Sequence, residues 1–235
     1  MLMLLAVRNL EAGYGKKQIL YDLSLSVLPG EIVGLIGHNG AGKSTALQSI
    51  FGLLTPQGGQ VLYMNRDLTF ASPSSKLDAG IYHLPQENFM FSDLTVADNL
   101  EMSFFTMRGQ TAFQSRLDEV CQFFPVLKDR ENQLAGTLSG GERRMLGIGM
   151  GLLRKPKLLM LDEPSSGLSP VLFQNVTRII EEINSNLRTA VLLVEQNVKV
   201  AFKLSKRVYV MKAGHIILEK PGAELLKRNE WWDLF

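Results

Sequence analysis

A single cysteine, Cys121, stands in the 235 residues. It can form no intrachain disulfide and no Cys-based metal site, and this usage suits a reducing compartment. The three histidines, His38, His83 and His215, have no metal-ligand spacing; His83 and His215 read as strand-end residues. Long apolar runs are also missing: Met145–Leu153 is the longest candidate, about half of the ~20 residues that span a bilayer. Residues 1–7 are apolar, but Arg8 and Glu11 close the stretch too early for a signal peptide. Charge of one sign is scarce, with 25 Lys and Arg against 23 Asp and Glu and no basic block. That balance argues against nucleic acid as a partner. Internal repeats and low-complexity linkers are absent.

What is present suffices for one large α/β domain, with or without an inserted subdomain. Hydrophobic residues make up 46% of the chain. Residues 2–7 and 19–27 read as strands, the second alternating Leu23, Leu25 and Val27 with polar neighbours. Gly13–Lys17 is a turn holding Tyr14 between two glycines. Ile32–Ile36 is a short, apolar, β-branched run that predicts a buried strand, and Ser44–Phe51 predicts a helix stopped by Gly52. Val61–Met64 and Ile81–Leu84 read as further strands. From Pro85 to about Lys155 the pattern is helical, with Thr95 as an N-cap and an amphipathic stretch over 112–124. The alternation then resumes: strand Lys157–Leu161, helix Pro170–Leu187, and strands at 190–194, 207–211 and 215–218. Strands alternating with helices imply a mainly parallel sheet.

Between the strand at 32–36 and the helix after it lies Gly37-His38-Asn39-Gly40-Ala41-Gly42-Lys43-Ser44-Thr45. It fits G-x-x-x-x-G-K-[ST] in the strand–loop–helix setting that gives the pattern a mechanism. Glycines let backbone N–H groups converge on phosphate oxygens, and the helix N-terminus favours the anion. Lys43 would reach the outer phosphates and the Ser44 hydroxyl would ligate Mg²⁺. A phosphate loop needs a carboxylate to organise that metal, and Asp162, ending an apolar strand, is placed for it. Glu163, one residue on, could polarise the attacking water. Tyr14 alone is a turn tyrosine; ahead of a phosphate loop its ring is a candidate platform for a purine base. Leu138-Ser139-Gly140-Gly141-Glu142 is a second Gly-containing turn at a helix mouth. It reads either as a capping box or as another anion site.

In this order the motifs resemble the nucleotide-binding subunits of ABC transporters over nearly the whole chain. The resemblance implies an α/β P-loop NTPase fold of the ABC ATPase type: a mainly parallel core (1–84 and 156–235), an antiparallel N-terminal β portion and an inserted helical subdomain (85–155), in one domain over 1–235. It implies ATP and Mg²⁺ as cofactors. Tyr14 would stack on adenine, and Gly37 to Thr45 would hold the phosphates. Gln86 would sense Mg²⁺ and a membrane permease. Ser139, Gly140 and Gly141 would cap the γ-phosphate bound by the opposite subunit. Asp162 would organise the metal, Glu163 would act on water, and Gln196 would stand at the switch position. The implied partners are permease subunits, a second ATPase subunit (a copy or a relative) and, indirectly, a solute-binding protein. The implied location is cytoplasmic, on the inner face of the cell membrane.

Two positions depart from the broad pattern: Ser169 where many members carry Asp, and Gln196 where many carry His. Gln can donate a hydrogen bond but supplies no imidazolium charge. Val194-Glu195-Gln196-Asn197 and Gly167-Leu168-Ser169-Pro170, with 206–211, look most like the ATPase subunits of branched-chain, or hydrophobic, amino-acid importers. An ABC protein acting on nucleic acid usually has two nucleotide domains or coiled-coil insertions, and neither is visible. A low-activity regulatory subunit stays open because of Gln196, while Glu163 speaks against it. Glu87, Phe89, Met90 and Phe91 either receive a permease helix or pack internally. The Trp231–Phe235 tail is expected to pack a last helix or to contact a second subunit.

Overall fold

The computed structural model describes residues 3–87, 89–105, 107 and 113–227. Trp231–Phe235, Asn88 and Ala112 lie outside them. The chain begins with the hairpin β1 (Leu5–Tyr14) and β2 (Lys17–Val27), followed by β3 (Ile32–Ile36), α1 (Lys43–Phe51), β4 (Gly58–Tyr63) and β5 (Arg66–Asp67). Next come α2 (Pro73–Asp78) and β6 (Ile81–Leu84), then α3 (Val96–Phe105), α4 (Phe113–Phe123), α5 (Pro125–Asp129) and α6 (Gly140–Leu152). The remainder is β7 (Leu158–Asp162), α7 (Pro170–Leu187), β8 (Ala190–Glu195), α8 (Val198–Leu204), β9 (Arg207–Lys212), β10 (His215–Pro221) and α9 (Gly222–Leu225).

The first strand is longer than its sequence suggests. Alternation fails after Val7 because the β1–β2 register shifts there, with Asn9 at φ 48. Such bulges add residues without ending a strand. The pairing resumes and closes at Tyr14 opposite Lys17, across the two-residue turn Gly15-Lys16 with Gly15 at φ 58. Glycine at the first position of so tight a hairpin meets the positive φ without a Cβ clash.

Among the described residues the strands form two sheets. One is four-stranded and antiparallel, in the order β2-β1-β4-β5; the other is six-stranded, in the order β10-β9-β3-β8-β7-β6. In the larger sheet β9, β3, β8, β7 and β6 run parallel, and only β10 is antiparallel. Every residue of β3, β7 and β8 is buried, as continuous apolar runs with helices on both faces should be. Helix α7 turns Val176, Ile179, Ile180 and Ile183 inward; each contributes roughly 1.5–3 kcal/mol by leaving water. Leu100, Phe104, Leu146 and Ile148 of α3 and α6 share one apolar cluster with Leu84, Leu159 and Leu161 of β6 and β7. The helices at 96–152 therefore pack continuously onto the sheet.

This topology creates the site. Strands β3, β8, β7 and β6 are parallel neighbours, so the residues just past their carboxyl ends meet at one edge. Those residues are Gly37, Gln196, Glu163 and Gln86.

Candidate nucleotide site

The phosphate loop leaves β3 at Gly37, whose tight setting a side chain would break. A Cβ there would lie 2.3 Å from the Met211 carbonyl oxygen. Gly42 opens α1 at φ 105, a value that favours glycine, and donates no side-chain cap. The first helical N–H groups are thus left for a ligand. His38, Asn39 and Gly40 are exposed at the tip, while Lys43 is buried. Its ammonium donates to the carbonyl oxygens of Gly37 (2.8 Å) and His38 (3.2 Å) and lies 3.6 Å from Glu163 Oε1. Asn39, Gly40, Gly42, Lys43, Ser44 and Thr45 line an open cavity of about 420 Å³. Gln86, Glu163 and Gln196 form its far wall.

Glu163 is held from several sides. Gln196 Nε2 donates to its Oε2 at 2.6 Å, and Gln86 Nε2 donates to the same oxygen at 3.2 Å. Its own N–H donates to the Val194 carbonyl at 2.9 Å. Its backbone stands at φ 48, the left-handed region, an arrangement that costs on the order of 1–3 kcal/mol and persists where surrounding contacts impose it.

Asp162 is buried beside it, and burial foremost raises its carboxyl pKa, as does the Glu163 charge. The Ser44 hydroxyl, Lys43 and Arg144 pull the other way. Asp162 Oδ1 is buried with no hydrogen-bond partner. A buried acceptor left unpaired costs free energy. Beside the Ser44 hydroxyl it forms a hard oxygen-donor pair, which fits a small divalent cation. Among the described residues no group of three or more His, Cys, Asp or Glu could hold a metal alone. A cation there would need further ligands, as magnesium finds in substrate phosphates.

Of the expected site residues, Gly37, His38, Ala41 and Asp162 adjoin this lining in sequence without being part of it, and Tyr14 and the Ser139–Gly141 turn lie outside it. Tyr14 ends β1, half exposed, with its hydroxyl donating to Gln48 Oε1 at 2.7 Å; Lys17 and Ile19 line the cavity instead. Ser139 caps α6 and forms the full capping box with Glu142. Gly140 lines a second groove with Phe89, Arg144 and Ser166, which meets the phosphate-loop cavity at Gln86. The phosphate loop and the Ser139–Gly141 turn thus do not line one cavity within the chain.

Several side chains were not legible as site residues. Arg144 is buried, donates to the Pro85 carbonyl at 3.2 Å and covers the Phe89 ring at 5.3 Å. Burial lowers its pKa, while Asp162, Glu195, Glu163 and Glu87 act in the opposite direction. Its positive charge bears on the carboxylates of Asp162, Glu195 and Glu163. Glu195 is buried at the end of β8, and burial pushes its carboxyl up to about 7. Lys76 is buried and donates to the Ile50 carbonyl at 2.8 Å, tying down the last turn of the phosphate-loop helix; burial lowers its pKa to about 8. Asn99 exchanges two hydrogen bonds with the backbone of Phe91. Phe89 and Met90 pack onto the helical cluster, while the Phe91 ring is exposed.

The ABC transporter family model matches residues 20–166. The chain belongs to the ABC transporter family. It is 44% identical over 223 residues to the high-affinity branched-chain amino acid transport ATP-binding protein BraG of Pseudomonas aeruginosa, covering 94% of each chain. It is 33% identical over 226 residues to the lipopolysaccharide export system ATP-binding protein LptB of Escherichia coli K12, covering 95% of this chain and 92% of that protein. Its structure superposes with a TM-score of 0.87 on the ADP conformation of MJ1267, an ATP-binding cassette of an ABC transporter. That pair is 25% identical, with 100% of this chain and 98% of the other covered. The fold is the α/β P-loop fold of these cassettes, and the protein is an ABC-type ATP hydrolase. Among the described residues no helix is long and apolar enough to cross a membrane.

Proposed function

We propose that this ABC ATPase powers a membrane importer of branched-chain or other hydrophobic amino acids. Two ATPase subunits, copies or close relatives, close head to tail over ATP. The two-subunit reading is supported by the phosphate loop and Gly140 lining different cavities of the chain, so that the loop and the Ser139–Gly141 turn do not face one bound phosphate within it. The amino-acid branch is supported by the higher identity to BraG, 44%, than to LptB, 33%, and by Gln196 at the switch position. Residues 85–155 act as a helical subdomain, and the groove beside Gln86 receives a permease helix from the membrane, on whose inner face the subunit sits. Substrate would reach the permease through a solute-binding protein.

Each role follows from the contacts. The phosphate-loop amides and Lys43 bind the phosphates, the ammonium exchanging the Gly37 and His38 carbonyls for anionic oxygens, and Tyr14 stacks on the base. Magnesium, held through Ser44 and Asp162 with Gln86 nearby, would neutralise charge on the phosphates. Glu163 takes the proton of the attacking water, with Gln86 and Gln196 fixing the carboxylate. Ser139, Gly140 and Gly141 close on the γ-phosphate held by the other subunit.

Deletion of the gene tests the transport reading. Loss of leucine, isoleucine and valine uptake, restored by the wild-type chain and not by Lys43→Ala, is expected. Intact uptake with impaired lipopolysaccharide export would favour the second relative's activity.

A further inference from the structure

We propose that Glu195 is a positioning residue for ATP hydrolysis: its carboxylate latches Ser165, so that the turn carrying Glu163 is gripped by two consecutive residues of one strand end. Ser165 donates twice to this carboxylate, from Oγ to Oε2 at 2.7 Å and from N–H to Oε1 at 3.2 Å. The next residue, Gln196, donates to the Glu163 side chain at 2.6 Å. Glu195 thus anchors the turn two residues beyond Glu163 while Gln196 anchors Glu163 itself. The inference rests on the reading of Glu163 as the group that acts on water.

Three observations argue against a mere packing role. Glu195 is only 2% exposed, and a buried carboxylate is expensive unless its bonds are needed. An apolar side chain would fill the end of β8 more cheaply. Second, the turn has little of its own to hold it: Ser166 N–H to the Glu163 carbonyl at 3.1 Å and Leu168 N–H to the Ser165 carbonyl at 3.3 Å. Glu163 meanwhile stands at φ 48, a conformation its surroundings must enforce. Third, Glu195 does not line the phosphate-loop cavity but an adjoining one, with Glu163, Ser165 and Gln196. It acts through the turn and not on the nucleotide. The charged groups that bear on it are Glu163, which opposes its ionisation, and Arg144, buried nearby.

The test compares steady-state ATP turnover, ATP affinity and thermal stability of the full chain. Glu195→Ala should lower kcat by about tenfold or more with ATP affinity within about threefold, because a displaced general base costs rate before binding. Glu195→Gln should return kcat to within about threefold of wild type, since its carbonyl can accept from Ser165 N–H and its amide can donate to Ser165 Oγ. Ser165→Ala should lower kcat alone and add little to Glu195→Ala, as partners in one interaction do. If Glu195→Ala does not fold, Ser165→Ala and Glu195→Gln carry the comparison. Wild-type kcat in Ser165→Ala, a Gln variant no better than Ala, or additive effects in the double variant overturn the inference. Glu163→Gln runs alongside: if it turns over normally, the reading of Glu163 fails; if it is dead while Glu195→Ala is normal, only the latch fails.

Discussion

Gln196 donates its side-chain amide to Glu163 Oε2 at 2.6 Å, across the ends of two adjacent parallel strands. A residue that supplies no imidazolium charge thus still supplies a hydrogen bond to the carboxylate beside the phosphate loop. Its first consequence concerns rate. Gln196→Ala should reduce kcat by roughly 10- to 100-fold while ATP affinity changes little, because the carboxylate loses its shortest tether. Gln196→His, whose ring N–H can donate to the same oxygen, should recover most of the loss. Phosphate-release kinetics on the isolated subunit measure both, and unchanged turnover in Gln196→Ala would mean that Gln196 does not position Glu163 for hydrolysis.

Lys43 donates to two loop carbonyls and faces Glu163 within 4 Å. Lys43→Ala should weaken ATP binding by about 100-fold or more, the range for losing one partner of a buried charge pair. A ligand that binds only the folded state raises Tm, so ATP should stabilise the wild type and leave Lys43→Ala unmoved. Equal thermal shifts would contradict the assignment.

The sequence made much of this legible because the site sits where periodicity is strongest. The all-buried strands β3, β7 and β8 read as apolar runs, and the chemistry-bearing residues follow directly at their ends. Helix α7 could be bounded by Pro170 and Leu187 since its apolar spacing is uninterrupted. The losses have physical causes. Strand β1 was cut short at Val7 because a bulge moves every later side chain to the other face. Glu195 ends a buried run and gives no periodic signal; its role depends on Ser165, 30 residues away. Lys76 looks like a surface lysine until the Ile50 carbonyl is found above it. Phe89, Met90 and Phe91 are adjacent in sequence, yet two pack inward and one stays exposed, a split set by Asn99 holding the backbone at Phe91.

Glu163→Gln keeps the size of the side chain and removes its basicity. Turnover should fall by about 100-fold or more, as for loss of a general base. ATP should then hold two copies together, since hydrolysis no longer reopens them. Size-exclusion chromatography with Mg-ATP should show a dimer that is absent without nucleotide, and a monomer under both conditions would count against closure driven by ATP.

His83 adds a pH dependence of stability. It is buried against the Phe51 ring at 5.5 Å with Nε2 unpartnered, and burial lowers its pKa to about 4. An unfolded histidine takes its proton near ~6.5. Between these values the unfolded chain binds more protons, so acidification from about 6.5 to 4 destabilises the fold, by a few kcal/mol in all. Glu195 works the opposite way: its pKa is raised to about 7, so the folded chain binds more protons below that value and gains stability as pH falls. The two effects oppose, and the wild-type curve alone does not separate them. Urea unfolding of wild type and His83→Leu at pH 7 and 5 does. The wild type should lose more stability relative to the variant at pH 5, and parallel curves would mean that His83 titrates normally.

If one chain's phosphate loop works with another chain's Ser139–Gly141 turn, two dead variants should complement each other on mixing. Lys43→Ala disables the loop. Gly140→Asp disables the turn without crowding, since a Cβ at Gly140 meets only Leu168 at 3.7 Å, and its carboxylate repels phosphate. Each variant alone should be inactive. Mixed in equal amounts, half of the dimers are hetero and one of their two composite sites is intact, so ATP turnover should return to about a quarter of wild type. No recovery on mixing, with both variants folded and dimerising, would contradict the shared site.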